Sequence, residues 1–121
     1  MATINLLPRK EFEITLEDGT VIKGQFGTWA LKRFCDKQKL SLSEAGKQLG
    51  NPSLTTITDY ILSAVEYTAR KNKAEFSFTD VHVCDWIDQL GGIASDNFTN
   101  LFNHSADATE QEAGEKKTDV S

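Results

Sequence analysis

Four side chains with metal-binding chemistry lie close together near residue 85: His82, Cys84, Asp85 and Asp88. An α-helix turns by about 100° per residue, so positions 82 and 84 point about 200° apart and cannot share a tetrahedral site. His82, Asp85 and Asp88 can share one face, but three ligands from one helix leave a zinc shell open. We therefore interpret these residues as the polar surface of a helix and predict no metal site.

No arrangement of residues in the sequence is typical of an enzyme. Neither histidine belongs to a recognisable pair of nucleophile and base. Gly24 and Gly27 do not form a phosphate loop, because neither a G-x-G-x-x-G pattern nor a Walker lysine is present. Cys35 and Cys84 lie in apolar stretches of predicted helices and are interpreted as small buried side chains, although a disulfide between them stays open. We predict no enzymatic activity and no cofactor.

The balance of charges argues against nucleic-acid and membrane partners. The chain has 121 residues, with 13 Lys and Arg against 18 Asp and Glu, and a formal net charge of -5. Nucleic-acid binding needs clustered cations, and the basic runs at 32–39 and 70–73 are interpreted as solvated helix faces. No apolar run reaches the ~18 residues of a membrane span. The first eight residues lack the basic and apolar regions of a secretory signal, so we expect no such signal.

The alternation of apolar and polar residues from Glu11 to Phe26 predicts a β-hairpin. A three-residue loop that ends at Gly19 pairs Ile14 with Ile22 and keeps the apolar side chains on one face. A two-residue loop would place Lys23 among them, so the pattern favours the longer loop. Gly19 would then take the left-handed position of that loop. Because a lone two-stranded ribbon is marginal in water, we expect it to pack on helices.

Four or five helices are expected after the hairpin. Their predicted ranges are Trp29 to Lys37, a short helix that follows Ser41 and ends near Gly50, Leu54 to Lys71, Asp80 to Leu90, and a short last helix from Ser95 to Asn103. Expected caps are Thr28, a capping box of Ser41 and Glu44, Ser53 or Thr55, and Thr79. The longest helix has apolar residues on more than one side and is expected to be central.

These elements predict one α+β domain, a hairpin packed on a bundle of helices. Residues 1–10 are expected to be an N-terminal arm, 11–103 the domain, and 104–121 a disordered acidic tail that lacks large apolar residues until Val120.

Several aromatic residues are candidates for binding a partner. Phe34 and Trp86 are expected in the core, whereas Trp29 is not placed there by the pattern. The apolar face of the last helix, formed by Phe98, Leu101 and Phe102, can pack either on its own domain or in the groove of a partner. The candidate protein-binding residues are therefore Trp29, Phe98, Leu101 and Phe102.

Three segments together resemble the tail assembly chaperones of long-tailed bacteriophages and related prophages. They are Phe26-Gly27-Thr28-Trp29-Ala30-Leu31-Lys32-Arg33-Phe34-Cys35, Leu40-Ser41-Leu42-Ser43-Glu44 and Asp80-Val81-His82-Val83-Cys84-Asp85-Trp86-Ile87. The family has an aromatic-Gly-Thr/Ser entry to a helix, then a serine-rich turn and a second helix, and later an Asp-Trp-Ile-like segment. The resemblance covers about residues 11 to 92.

The resemblance implies a binding protein of the host cytoplasm that is absent from the finished virion. Such chaperones bind the tape-measure protein, keep it soluble and help to recruit tail-tube subunits. Many members also exist as a longer, ribosomally frameshifted form. Lys116-Lys117 is a candidate slip site here, because two lysine codons can form an A-rich run.

Two other functions stay open on the sequence. One is a small cytoplasmic adaptor or regulatory protein that acts through a helical protein-binding face. The other is a nucleic-acid-binding regulator that uses the helix pair between Trp29 and Leu49 as a helix-turn-helix, against which the acidic charge weighs.

Overall fold

The computed structural model of the protein describes residues 1–105, which form an antiparallel sheet followed by five helices. The strands are β1 (Thr3–Leu7), β2 (Glu11–Thr15) and β3 (Val21–Gln25). The helices are α1 (Thr28–Gln38), α2 (Leu42–Gly50), α3 (Leu54–Lys71), α4 (Asp80–Gln89) and α5 (96–105). This is the α+β fold that the sequence predicts. Within this part of the chain, no helix has the length and apolar character needed to cross a membrane.

The sheet has three strands in the order β1-β2-β3, one more than the predicted hairpin. The extra strand comes from residues 1–10, so the expected N-terminal arm is part of the sheet. It pairs Ile4 with Ile14 and Leu6 with Phe12. A third strand gives the two-stranded ribbon the additional pairing that it needs for stability in water.

The loop between β2 and β3 has the predicted length and register. Ile14 lies opposite Ile22 in the pairing of β2 with β3. Gly19 has a φ of 92° and donates its N–H to the carbonyl of Leu16 at 2.9 Å. The Asp18 carboxylate accepts the N–H of Thr20 at 2.9 Å, and this hydrogen bond lowers the pKa of Asp18. The three-residue loop is therefore confirmed.

The loop between β1 and β2 holds two cationic residues in the left-handed region. Arg9 and Lys10 both have a φ of 64°, a conformation that usually favours Gly or Asn. The carbonyl of Lys10 accepts the N–H of Phe26 at 3.1 Å, and that of Arg9 accepts from the Gln25 side chain at 3.1 Å. Contacts with the end of β3 thus fix the conformation of this loop.

Side-chain caps begin three of the helices as predicted. Ser41 and Glu44 form a reciprocal capping box at α2, with hydrogen bonds of 2.7 and 3.1 Å. The Ser53 hydroxyl accepts an N–H from the first turn of α3. Thr79 precedes α4, where Nδ1 of His82 accepts the Thr79 N–H at 3.0 Å.

The predicted cap at Thr28 is wrong. Helix α1 already includes Thr28, its N-cap is Gly27, and no side chain caps it. The Leu31 N–H donates to the Gly27 carbonyl at 2.9 Å, which sets the first helical turn one residue earlier. The extended φ of 172° at Gly27 continues the strand direction directly into the helix.

Four aromatic rings form the centre of the core. Phe26 lies 5.1 Å from Phe12 and 5.0 Å from Tyr60, measured between ring centroids, and Phe34 lies 5.6 Å from Tyr60. The rings belong to β2, the end of β3, α1 and α3, so they join the sheet to two helices. Phe34 and Trp86 are buried, as predicted.

Helix α5 packs on its own domain. Phe98 and Leu101 are 5% and 0% exposed. His104 Nε2 donates to the carbonyls of Leu7 at 2.9 Å and Glu11 at 3.0 Å, which ties the end of α5 to the loop between β1 and β2. Residues 104 and 105, expected in the acidic tail, thus belong to the helix, and the rest of the predicted tail, with Lys116-Lys117, lies outside the described residues.

The close packing of Phe12 against Gly24 predicts that adding a single methyl group at Gly24 destabilises the fold. A Cβ at Gly24 would lie 2.3 Å from Cζ of Phe12, a buried ring packed on Phe26. We expect Gly24→Ala to lower the free energy of unfolding by about 1–3 kcal/mol through overpacking, measured by chemical denaturation. Gly27→Ala is the matched control, because nothing lies within 4 Å of its added Cβ. Equal stability of the two variants would contradict this packing.

Tyr60 predicts how stability changes at alkaline pH. Burial, with a smaller contribution from the charge of Cys35, raises its pKa to about 12 from an ordinary value of about 10. The unfolded chain therefore loses the phenol proton first, so stability is lost as pH rises from about 10 through 12. A difference of two pK units between the folded and the unfolded protein corresponds to a loss of about 3 kcal/mol in the free energy of unfolding. Denaturation at pH 9 and pH 12 should show a smaller loss in Tyr60→Phe than in the native protein, and equal losses would contradict the assignment.

Candidate functional site

Trp29 lies on a half-buried surface where α1 packs against α3. The chain enters α1 directly from β3, so Trp29 stands in the first helical turn beside the end of the sheet. Its ring centroid lies 5.9 Å from that of Tyr67, near the C-terminal end of α3. Both side chains are half-buried, in contrast to the buried Ala30 and Phe34 of the same helix. The pair therefore presents aromatic surface at the outside of the domain.

Two cations lie over these rings. The guanidinium carbon of Arg70 is 5.7 Å from the centroid of Trp29, and the ammonium of Lys71 is 5.7 Å from the centroid of Tyr67. A cation over an aromatic face is attracted by the electron-rich ring, by about 0.5–1 kcal/mol at exposed sites. The rings and cations together form a surface that is both apolar and positively charged.

A buried carboxylate fixes the position of this surface. Glu66 is 4% exposed, and its Oε1 accepts from Nε of Arg33 at 3.1 Å. Its Oε2 accepts from Nε of Arg70 at 2.9 Å, and Nη2 of Arg70 lies 2.9 Å from the same oxygen in an ion pair. Both oxygens are therefore paired, and the carboxylate holds one arginine from each helix. We call these residues the Trp29 cluster, namely Trp29, Arg33, Glu66, Tyr67, Arg70 and Lys71.

An open groove of about 410 Å³ runs beside the cluster. It is lined by Gln25, Gly27, Thr28, Trp29, Lys32 and Tyr67. Polar groups surround the two aromatic rings, which are the kind of anchors that protein interfaces favour. The arrangement suits an extended or helical segment of another polypeptide that carries apolar and acidic side chains.

The other predicted binding residues do not share this surface character. Phe98 and Leu101 are buried in the core of the domain, where a partner reaches them only if α5 moves. Phe102 is half-buried and stacks at 6.4 Å on Phe98. Of the four candidates, Trp29 and Phe102 are thus half-buried, and Trp29 lines the groove.

Sequence reasoning missed most of the Trp29 cluster. The sequence pattern places Arg70 and Lys71 on a solvated helix face and gives no reason to single out Tyr67. Glu66 and Arg70 lie four residues apart, a spacing at which opposite charges pair on a helix. The pairing of Glu66 with Arg70 could therefore be predicted from the sequence. The contacts with Trp29 and Arg33 join α3 to α1, so no pattern of neighbouring residues in the sequence indicates them.

The remaining side chains with metal-binding or thiol chemistry were the other candidates for a site in the sequence. Across residues 1–105, no group of three His, Cys, Asp or Glu side chains is placed to hold a metal ion. Cys35 and Cys84 are free thiols, so the open question of a disulfide is answered for this structure. The expectation that both thiols are buried is wrong, because Cys35 is half-buried and Cys84 is exposed on the outer face of α4. Burial, reinforced by the charge of Asp36, raises the pKa of the Cys35 thiol, which disfavours the reactive thiolate.

Comparison of the chain with protein-family models, with curated proteins and with solved structures gave no match. The function therefore has to be argued from the residues and the geometry of the Trp29 cluster.

Two neighbouring cations on α1 test the role of Glu66. Arg33→Ala removes one partner of the buried carboxylate, and we expect it to lower the free energy of unfolding by about 2 kcal/mol. Lys32→Ala removes an equally cationic side chain whose pair with Asp36 is exposed, at 70% and 58%. We expect this control to change stability by no more than about 0.5 kcal/mol. Urea denaturation of both variants is the measurement, and equal effects would show that Glu66 does not depend on Arg33.

Proposed function

We propose that this protein is a tail assembly chaperone of a long-tailed bacteriophage or prophage. It binds the tape-measure protein in the host cytoplasm, keeps it soluble, helps to recruit tail-tube subunits and does not enter the virion. The proposal starts from the resemblance of residues 26–35, 40–44 and 80–87 to that family. A longer frameshifted form that shares this domain belongs to the same proposal.

The exposure pattern within residues 26–35 is the observation that carries the proposal. Phe26, Ala30 and Phe34 are fully buried, at 0% exposure each, so folding alone accounts for them. Trp29 is half-buried and faces a groove, and its ring is held by contacts with Tyr67 and Arg70. A large aromatic side chain fixed in place at the surface is typical of a contact with another protein.

The chemistry of a tape-measure protein suits such a surface. A long amphipathic helical chain exposes apolar side chains until the tail tube closes around it. A small protein with one aromatic groove could cover that chain in many copies. Each contact would be weak enough for displacement by tube subunits, while repetition along the chain would supply avidity.

A variant of the groove tests the proposal directly. Trp29→Ala removes the half-buried ring that lines the groove, and we expect the affinity of the protein for the tape-measure protein to fall at least tenfold, since central aromatic anchors dominate interfaces. Val81→Ala is the control, because it removes an apolar side chain that is 72% exposed on α4. Co-expression with the tape-measure protein, followed by co-purification and a measurement of its soluble fraction, gives the readout.

Circular dichroism of both variants excludes unfolding as the cause of any loss. The native protein should raise the solubility of the tape-measure protein, Val81→Ala should do the same, and Trp29→Ala should not. No co-purification by the native protein would overturn the proposal. The gene neighbours give an independent check, since a tail-tube gene upstream and a very long tape-measure gene downstream are expected.

A further inference from the structure

Alternate residues of β2 form the hydrogen bonds to β3. In an antiparallel pair, opposite residues alternate between pairs that exchange hydrogen bonds and pairs that do not. Just beyond the two ends of β2, the Leu16 N–H donates to the Thr20 carbonyl at 2.7 Å, and the Lys10 carbonyl accepts the Phe26 N–H at 3.1 Å. Both residues on the β2 side have even numbers, so the even-numbered residues of β2 bond to β3. The odd-numbered residues of β2 therefore bond to β1.

The same alternation leaves two residues of β1 with backbone groups at a free edge of the sheet. The odd-numbered residues of β2 lie opposite Thr3, Asn5 and Leu7. Ile4 and Leu6 therefore point their N–H and C=O groups away from β2. Because β1 is an outer strand, these groups have no hydrogen-bond partner within residues 1–105. Two donors and two acceptors are thus available along this edge.

The side chains of the same two residues are incompletely covered. Ile4 and Leu6 lie opposite Ile14 and Phe12, whose side chains are each 1% exposed. In contrast, Ile4 is half-buried and Leu6 is 37% exposed. Apolar surface and unpaired backbone groups therefore occur at the same two positions. Another β-strand that pairs with β1 would cover both.

The sequence of β1 lacks the features by which proteins protect edge strands from pairing. Charged side chains, Lys above all, and Pro are common protections. β3, at the other edge of the sheet, contains Lys23, whereas Thr3–Leu7 contains neither a charged residue nor a Pro. A second β1 can therefore approach this edge without repulsion between like charges of the two strands.

We propose that β1 pairs with β1 of a second copy of the chain, antiparallel and centred on Asn5, so that the three strands of each copy form one continuous sheet. In this register, Ile4 lies opposite Leu6 of the partner subunit, and the reverse pair is equivalent by symmetry. Both residues have outward backbone groups, so each of the two pairs exchanges two hydrogen bonds. The Ile4 and Leu6 side chains of the two copies lie side by side and cover each other.

The size of this contact predicts a weak dimer. β1 supplies five residues from each copy, whereas a standard stable interface uses about 20–30 residues a side. A dissociation constant above about 1 µM fits so small a contact. The pairing is therefore expected to form at high local concentration and to exchange readily.

Sedimentation velocity of the full chain at concentrations up to about 1 mM tests the pairing. We expect a monomer–dimer equilibrium in the native protein and at least tenfold weaker dimerisation in Asn5→Lys, because two like charges then lie directly opposite each other. Val21→Lys is the control, since it adds the same charge at an exposed residue of the other edge strand, β3. Circular dichroism verifies that both variants are folded. A native protein that stays monomeric, or equal weakening by the two substitutions, would overturn the proposal.

A disulfide between two copies tests the register. Asn5 would lie opposite Asn5 of the partner subunit in a pair without hydrogen bonds, where Cα atoms are about 4.5 Å apart and a disulfide can form. In a background of Cys35→Ala and Cys84→Ser, oxidised glutathione should convert Asn5→Cys into a covalent dimer on a non-reducing gel, and Val21→Cys should stay monomeric. Equal yields from the two variants, or little dimer from Asn5→Cys, would contradict the pairing around Asn5. Neither experiment contains a tape-measure protein, so its result is independent of the chaperone proposal.

Discussion

Contact between the rings of Phe26 and Tyr60 is the constraint on which the rest of the fold depends. Phe26 follows the last residue of β3, and Tyr60 lies in the middle of α3, the helix at the centre of the domain. Phe12 packs on the first ring from the sheet and Phe34 on the second from α1. Because α1 begins two residues after Phe26, the position of this ring sets where α1 starts, and with it the place of Trp29.

Burial of Glu66 imposes the second constraint. A carboxylate removed from water is costly unless it is paired, and here each oxygen accepts from an arginine. One arginine comes from α1 and the other from α3, so the two helices are joined at a defined place. Arg70 reaches that carboxylate across the face of Trp29, which means that one structural ion pair also orients this half-buried ring. Stability and the candidate binding surface therefore share the same residues.

The parts of the fold that the sequence predicted are those with local causes. The bounds of α3, the capping box at Ser41 and the three-residue loop at Gly19 each follow from residues close together in the chain. Strand β1 was missed because it has five residues and packs one apolar side chain, Ile4, against the core, which gives too short an alternation. The contact of Trp29 with Tyr67 was missed because 38 positions separate the two residues (67 minus 29), and it exists only when α1 packs on α3. Of the Trp29 cluster, the sequence thus predicted Trp29 as a binding residue, and the other members come together only through the packing of α1 on α3.

The hydrogen bonds of His104 have a consequence for the order of synthesis. They join residues 97 and 93 positions apart, the first loop of the chain and its last described helix. A ribosome adds ~5–20 residues per second, so the sheet and α1 emerge several seconds before α5 does. During that interval the loop between β1 and β2 lacks its partner in α5. Any segment translated after residue 105 would therefore emerge next to the part of the domain that is completed last.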